Sequence, residues 1–283
     1  MNMPTFLTQN TQDSEEQWYF LAHYSQQLTK HIVNYGDSHN LYQGTDLNDA
    51  KDLSPILITI NIDQRSALLN DIECERLKGL MLATKKTVPL TVLMQQLRQR
   101  LFVKFDKERK AIFHFQNPRV ASHFFRQSLA QDTHAWMGNI KKLAWLDNVP
   151  WGSQQWEMIE NNSLNLSQDA SKTWLLTPSQ ENSLLNTIDD STISYFFECF
   201  PEHYTQPQDW RWCYDILNYG ALFSLEHIDD FKTFLALSFE FRPFTISVLK
   251  NQHEQSISLN QSATLQGYQI ALQGMQENTI HGQ

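Results

Sequence analysis

Short apolar runs and amphipathic stretches alternate between residues 18 and 146. Trp18-Tyr19-Phe20-Leu21-Ala22 is a continuous apolar run of strand length, and Pro55-Ile56-Leu57-Ile58-Thr59-Ile60 is a β-branched run opened by a proline; both read as buried strands. Between them, Ser25 to Tyr35 places Leu28, Ile32 and Tyr35 at helical spacing and stops at Gly36, a suitable C-cap, and Asp37 to Asp52 reads as a polar loop. Gln64 to Leu77 reads as a helix and Gly79 to Ala83 as a further strand. Thr87 can cap a helix whose apolar positions are Leu90, Leu93, Met94, Leu97 and Leu101, with Gln95, Gln96, Arg98 and Arg100 on the other face. Phe102–Phe105 and Ala111–Phe115 read as a hairpin around the charged turn Asp106 to Lys110. Its second strand runs through a tight turn into a helix from Pro118 to about Ala130. Asn117 is the expected cap there, and Pro118 occupies the first position, where a missing N–H costs nothing.

This alternation, with one hairpin, predicts an α/β (α+β) fold: a mixed β-sheet flanked by helices over residues 1–147. Asn148 to about Thr177 is rich in Asn, Ser and Trp without regular apolar repeats and reads as a connecting segment over 148–177. Residues 178–283 then read as a smaller all-helical lobe, with helices over Ser179–Ile188, Ser191–Phe200, Asp209–Phe223 and His227–Phe239. Asp209 is a good N-cap, Asp229-Asp230 complements a helix N-terminus, and Arg242-Pro243 ends the last of these helices. The polar, Gln-rich tail keeps a weakly helical patch over Ser262–Met275.

At 283 residues the chain can bury a sizeable core, and two lobes suit its length. Apolar residues make up 41% and charged residues 19%, as in a folded globular protein. No apolar run approaches the roughly 20 residues that span a bilayer, and Met1 to Gln17 is polar and acidic, so no membrane insertion is expected and the expected location is cytoplasmic. Cys74, Cys199 and Cys213 lack CxxC spacing and suit buried thiols in a reducing compartment. Charge is segregated. Residues 1–75 hold 3 basic and 11 acidic side chains, residues 76–142 hold 14 and 3, and residues 143–283 hold 5 and 17, giving nets of -8, +11 and -12. The central block either forms a patch for an acidic partner or pairs with its acidic flanks.

Motifs for catalysis are absent: no HExxH, GxSxG, GxxxxGK[ST] or GxGxxG, and no metal or cofactor is expected. Cys199 with His203, or Cys213 with His227, would be the thiol–imidazole pairs of a cysteine- or histidine-dependent hydrolase, but Cys199 in its aromatic run and Cys213 on an apolar face read as small hydrophobes. The basic segment 76–142 with Phe102, Phe105, Phe113 and Phe115 is the feature a nucleic-acid-binding reading would use; those rings suit a strand core better, and the net charge of -9 opposes attraction to phosphate.

Five stretches stand in a characteristic order: the strand Trp18–Ala22, Leu41-Tyr42-Gln43-Gly44-Thr45, Ser54-Pro55-Ile56-Leu57-Ile58, the helix bearing Leu93, Leu97 and Arg98, and Phe113-His114-Phe115-Gln116-Asn117-Pro118-Arg119-Val120, followed by Trp136-Met137-Gly138 and Trp145. In this series Trp18 to Asp147 resembles the type VI secretion adaptor proteins, or effector chaperones. Where that family typically has Phe-Arg-Phe-Tyr-Asp-Pro-Arg, this chain has His114, Gln116 and Asn117 in place of arginine, tyrosine and aspartate, and Asn139 stands where proline is common. The resemblance implies a non-enzymatic cytoplasmic protein that binds a secreted toxic effector and delivers it to the spike (valine-glycine repeat) protein, without nucleic acid. Arg98, Arg100, Lys104, Arg109, Lys110 and Arg119 are then the expected partner-binding surface, with the acidic helical lobe holding the other partner.

Overall fold

The computed structural model describes residues 15–24, 34–105, 109–147, 155–162, 173–223, 225, 227–259 and 262–281. The stretch expected to be helical over 25–33 and the hairpin turn 106–108 lie outside them. The chain divides into two compact units, Met1–Leu185 and Asn186–Gln283.

In the first unit the strands are β1 (Glu16–Ala22), β2 (Gly36–Asn40), β3 (Ile56–Ile60), β4 (Gly79–Lys85), β5 (Phe102–Phe105), β6 (Arg109–Ile112), β7 (Ile140–Leu146), β8 (Trp156–Glu160) and β9 (Trp174–Leu175). The helices are α1 (Arg65–Glu73), α2 (Leu90–Arg100), α3 (Pro118–Gln127) and α4 (Ala130–Met137). Six strands form one sheet in the order β2-β3-β1-β4-β7-β8, every neighbouring pair antiparallel. The parallel pairing of the mixed sheet content is confined to a second sheet, β6-β5-β9, where β5 runs antiparallel to β6 and parallel to β9. Trp156–Glu160 and Trp174–Leu175, inside the stretch read as a connection, are thus sheet strands of the first unit.

Side chains alternate across a strand, so the continuous apolar run of β1 serves two cores. Tyr19 and Leu21 join Leu57, Leu80, Leu82, Leu143 and Trp145 under α2, α3 and α4, while Trp18, Phe20 and Ala22 join Ile58, Met81, Ala83 and Ala144 under α1. The larger core is aromatic: Trp136 packs edge-on against Phe115 and Phe125, with ring centroids 5.0 and 4.8 Å away, geometry that adds about 1 kcal/mol per pair to area burial. At its margin a buried polar chain runs from Trp145 Nε1 to Ser122 Oγ (2.9 Å) and from Ser122 Oγ to Asp147 (2.9 Å), whose carboxylate also accepts from Arg126 (2.9 Å).

Several local expectations are corrected. Pro89 and not Thr87 occupies the N-cap of α2, and no side chain caps it. Gly36 opens the edge strand β2, and part of the predicted polar loop, Asp37–Asn40, pairs with β3. The strand before Asn117 ends at Ile112, and Phe113 and Phe115 both turn into the same core. The Asn117 cap and N1 proline are as expected, with Asn117 Oδ1 accepting from Arg119 N at 3.0 Å.

The second unit is helical: the end of α5 (Pro178–Cys199), α6 (Pro207–Leu217), α7 (Ile228–Glu240), α8 (Arg242–Leu259) and α9 (Leu265–His281). The two helices expected over 179–200 are one; the helix expected to stop at Arg242-Pro243 does end at Glu240, and a further helix that was not expected begins at Arg242. Proline fits there because the first turn has no intrahelical acceptor for its missing N–H. Asp209 is not the N-cap but the third helical residue of a capping box with Gln206. Its buried carboxylate accepts from Thr205 N and Oγ1, Gln206 N and Arg242 Nη1, the last at 2.7 Å, and Arg242 also lies over the Trp212 ring at 4.7 Å. Burial alone would raise the Asp209 pKa; the bonds from Arg242 and Thr205 outweigh it and hold the group below the ordinary carboxylate value.

Two outcomes test these placements. Gly36 has φ of +151°, and an added Cβ would lie 1.9 Å from Thr59 O, so Gly36→Ala should destabilise the first unit by about 2–3 kcal/mol and lower Tm by roughly 5–10 °C. Because the folded pKa of Asp209 is depressed, its contribution is present above the unfolded value and lost as pH falls below 3.8 through the lower folded value. Denaturant titrations of wild type and Asp209→Asn should therefore differ most near neutral pH, by about 2 kcal/mol, and converge in acid.

Candidate interaction surface on the three-stranded sheet

The expected basic surface does not form as one patch; the fold distributes its members by how far each side chain can reach. Arg98 donates to the carbonyls of Leu41 and Asn40 (3.2 and 3.3 Å), tying α2 to the loop after β2. Asn40 fixes the same loop, its Oδ1 accepting from the backbone N–H of Tyr42 and Gln43. Arg100 is 6% exposed, donates to Trp136 O at 3.1 Å and lies 4.3 Å from the centre of the Trp174 ring. Burial pulls its pKa down to about 10. Arg100 is therefore corrected from a partner-binding to an internal role, being inaccessible, while Arg98 is half-buried with Nε and Nη2 on backbone carbonyls. Gln96, expected on the polar face of α2, is buried beside Arg100. Its Nε2 donates to Met137 O at 2.7 Å, and its Oε1 accepts from Asn139 N and Nδ2 at 3.0 Å each. Two side chains of α2 thus satisfy carbonyls orphaned at the end of α4. Asn139 supplies an N–H that proline lacks.

Arg119 sits half-buried in the first turn of α3, away from the hairpin in sequence and held at its backbone by the Asn117 cap. Other members of the basic block meet the acidic flanks. Lys141 and Lys142 bind Glu16 at 2.6 and 3.0 Å, Arg126 bridges Asp147 and Glu157, and Arg76 pairs with Asp71.

Lys104 and Lys110 are what the structure does bring together, on the β5–β6 hairpin, while Arg109, paired with Phe105, falls in the opposite-facing row. Register decides which way they face. Val103 opposes Ala111 and Trp174, and Val103 and Trp174 are buried, so this row faces the core. The next row, Lys104 with Lys110 on one side and Leu175 on the other, therefore faces outward, together with Ile112, whose partner Phe102 is half-buried and still packs on the core. Leu175 is 51% exposed and Ile112 44%. Arg109 lies toward the hairpin tip with its guanidinium 4.7 Å from the Phe105 ring centre.

Lys104 and Lys110 are directly opposite across the strands, an arrangement that costs stability because like charges share one face. Lys110 finds partial relief over the Phe102 ring at 4.0 Å and from Asp46 at 3.5 Å, an exposed pair worth little. Lys104 has no ion pair among the described residues. The face thus sets the Lys104 and Lys110 ammonium groups beside exposed aliphatic surface, the chemistry that receives an amphipathic segment bearing carboxylates. The signal available in the sequence was the alternation Phe102, Lys104 and Lys110, Ile112; the contribution of Leu175 was not legible, because its parallel pairing with β5 joins residues about 70 positions apart.

The thiols are placed differently from expectation in one case. Cys213 is buried, and burial pushes its pKa upward, away from a nucleophile. Cys199 is exposed, not the buried hydrophobe expected. His203 stacks on Phe239 and Phe196, with centroids 4.7 and 5.8 Å away. Among the described residues no group of three His, Cys, Asp or Glu side chains could hold a metal ion, and no helix is long and apolar enough to cross a membrane.

No curated protein and no solved structure matches the chain. Residues 18–135, from the Trp18 strand β1 through α4, match the family described as a domain of unknown function (DUF4123).

Proposed function

We propose that the protein is a non-enzymatic adaptor of type VI secretion, which binds a toxic effector and loads it onto the spike protein in the cytoplasm. The reading is supported by the ordered series of residues through which Trp18 to Asp147 resembles the effector chaperones, a stretch that contains the matched residues 18–135. The structural observation that carries it is the outward face of the three-stranded sheet, where Lys104, Lys110, Ile112 and Leu175 offer a charged and aliphatic surface. An adaptor needs such a surface and no reactive centre. The face would take an acidic, amphipathic segment of one partner: aliphatic side chains on Ile112 and Leu175, carboxylates on Lys104 and Lys110. The basic segment as a nucleic-acid platform has less support, since Phe113 and Phe115 are buried in the aromatic core and cannot stack on bases.

Co-expression with a type VI spike protein and a candidate toxin, followed by affinity capture, tests the proposal. The wild-type chain should retain both partners. Lys104→Glu/Lys110→Glu should weaken capture of one of them by about tenfold or more at low salt, with the difference shrinking toward 0.5 M salt as screening shortens the electrostatic reach to about 4 Å. Both side chains are exposed, so the variant should fold as wild type by circular dichroism. Retention of neither partner by the wild type would sink the adaptor reading; equal capture by wild type and variant would remove the hairpin from it.

A further inference from the structure

The helical unit is acidic: residues 186–283 hold 4 basic and 12 acidic side chains, a net of -8. An open groove of about 460 Å³ lies on it, lined by Asp215, Asn218, Tyr219, Leu222, Ile246 and His253. Asp215 occupies the last turn of α6, which contains no basic residue. A helix end gathers partial negative charge on its last carbonyls, so a carboxylate there is disfavoured and a cation favoured. Asp215 is exposed and has no ion pair among the described residues. Beside it stands the Tyr219 ring, which meets the His253 ring nearly edge-on, 84° between planes with centroids 6.5 Å apart. Leu222 and Ile246 supply aliphatic surface in the same groove.

We propose that this groove binds an arginine side chain presented by a partner protein. The guanidinium is planar and always charged. It can take Asp215 through two parallel N–H donors while its face lies on the Tyr219 ring, and its three methylenes run along Leu222 and Ile246. A lysine ammonium meets the charge but neither the paired donors nor the stacking. The charge preference is opposite to that of the three-stranded sheet, so one chain can sort two partners by sign. Only the source of the arginine, a partner protein, rests on the adaptor reading.

The test is an NMR titration of the full chain with N-acetyl-arginine methylamide, using N-acetyl-citrulline methylamide as the neutral isostere and free arginine as a third arm. The capped arginine should produce saturable shifts confined to signals around Asp215, Tyr219 and His253. The citrulline analogue should bind about tenfold more weakly or worse, and Asp215→Asn should weaken the arginine arm by a similar factor. Tyr219→Leu, which keeps an apolar lining but removes the ring, should weaken it about threefold. Absence of saturable shifts at the groove, equal binding of the citrulline analogue, or unchanged affinity in Asp215→Asn overturns the site. Tighter binding of free than of capped arginine overturns the protein source. No effector or spike protein is present in these titrations, so their failure is separable from failure of the co-capture experiment.

Discussion

Two-sided burial of the six-stranded sheet is the constraint on which the first unit depends. A central strand of an antiparallel sheet usually has one wet face and alternates apolar with polar residues. Here β1, β4 and β7 are apolar at consecutive positions, and the odd and even residues of β1 belong to different cores. Burying apolar surface is worth roughly 25 cal/mol per Å², and that gain is available on either face only where helices cover it. Coverage by α1 on one side and by α2, α3 and α4 on the other follows from the strand sequences. The polar edge strand β2 follows too: it has one neighbour and little to bury, so Gly36-Asp37-Ser38-His39-Asn40 can pair with β3.

Coverage by helices creates a second requirement, because each helix end near the core leaves backbone carbonyls without partners. The polar face of α2 answers it. Gln96 and Arg100 reach the carbonyls of Met137 and Trp136 at the end of α4, and Arg98 reaches those of Leu41 and Asn40. A row that helical periodicity assigns to solvent is thus consumed inside the unit. The long stems of arginine and glutamine make this possible: they bury methylenes along apolar neighbours while their polar ends travel to a distant acceptor.

The legible and illegible parts of the fold divide along these lines. Periodicity located β1, β3, β4, the hairpin, α2 and α3, since each carries its own burial pattern. It also located the Asn117 cap, whose geometry depends on two adjacent residues. It missed β2, β8 and β9, whose strand character comes from a neighbour and not from their own composition, and it singled out neither α4 nor β7. It placed the break at Arg242-Pro243 but not the helix that starts there, because proline marks the start of a helix as readily as its end; the arginine of that first turn donates to Asp209, 33 residues earlier. The candidate surface was half legible: Lys104 and Lys110 came from charge, but excluding Arg100 required knowing which carbonyl and ring lay within its reach.

The residues that carry the family resemblance are, in this structure, the residues that hold the scaffold. Leu41 and Tyr42 are buried, the loop they begin is tied by Arg98 and Asn40, and Phe113, Phe115 and Trp136 form the aromatic core. Asn117 and Pro118 start a helix. Residues fixed by packing and backbone satisfaction are poor carriers of partner choice, since any change that altered a partner contact there would also cost fold stability. Lys104, Lys110, Ile112 and Leu175 are under no such constraint: they are exposed, and Leu175 lies beyond the matched residues 18–135. Asp215 and Tyr219 lie beyond them as well. The residues of the resemblance therefore identify the scaffold, while the outward rows, which add little to stability, are free to change without cost to it.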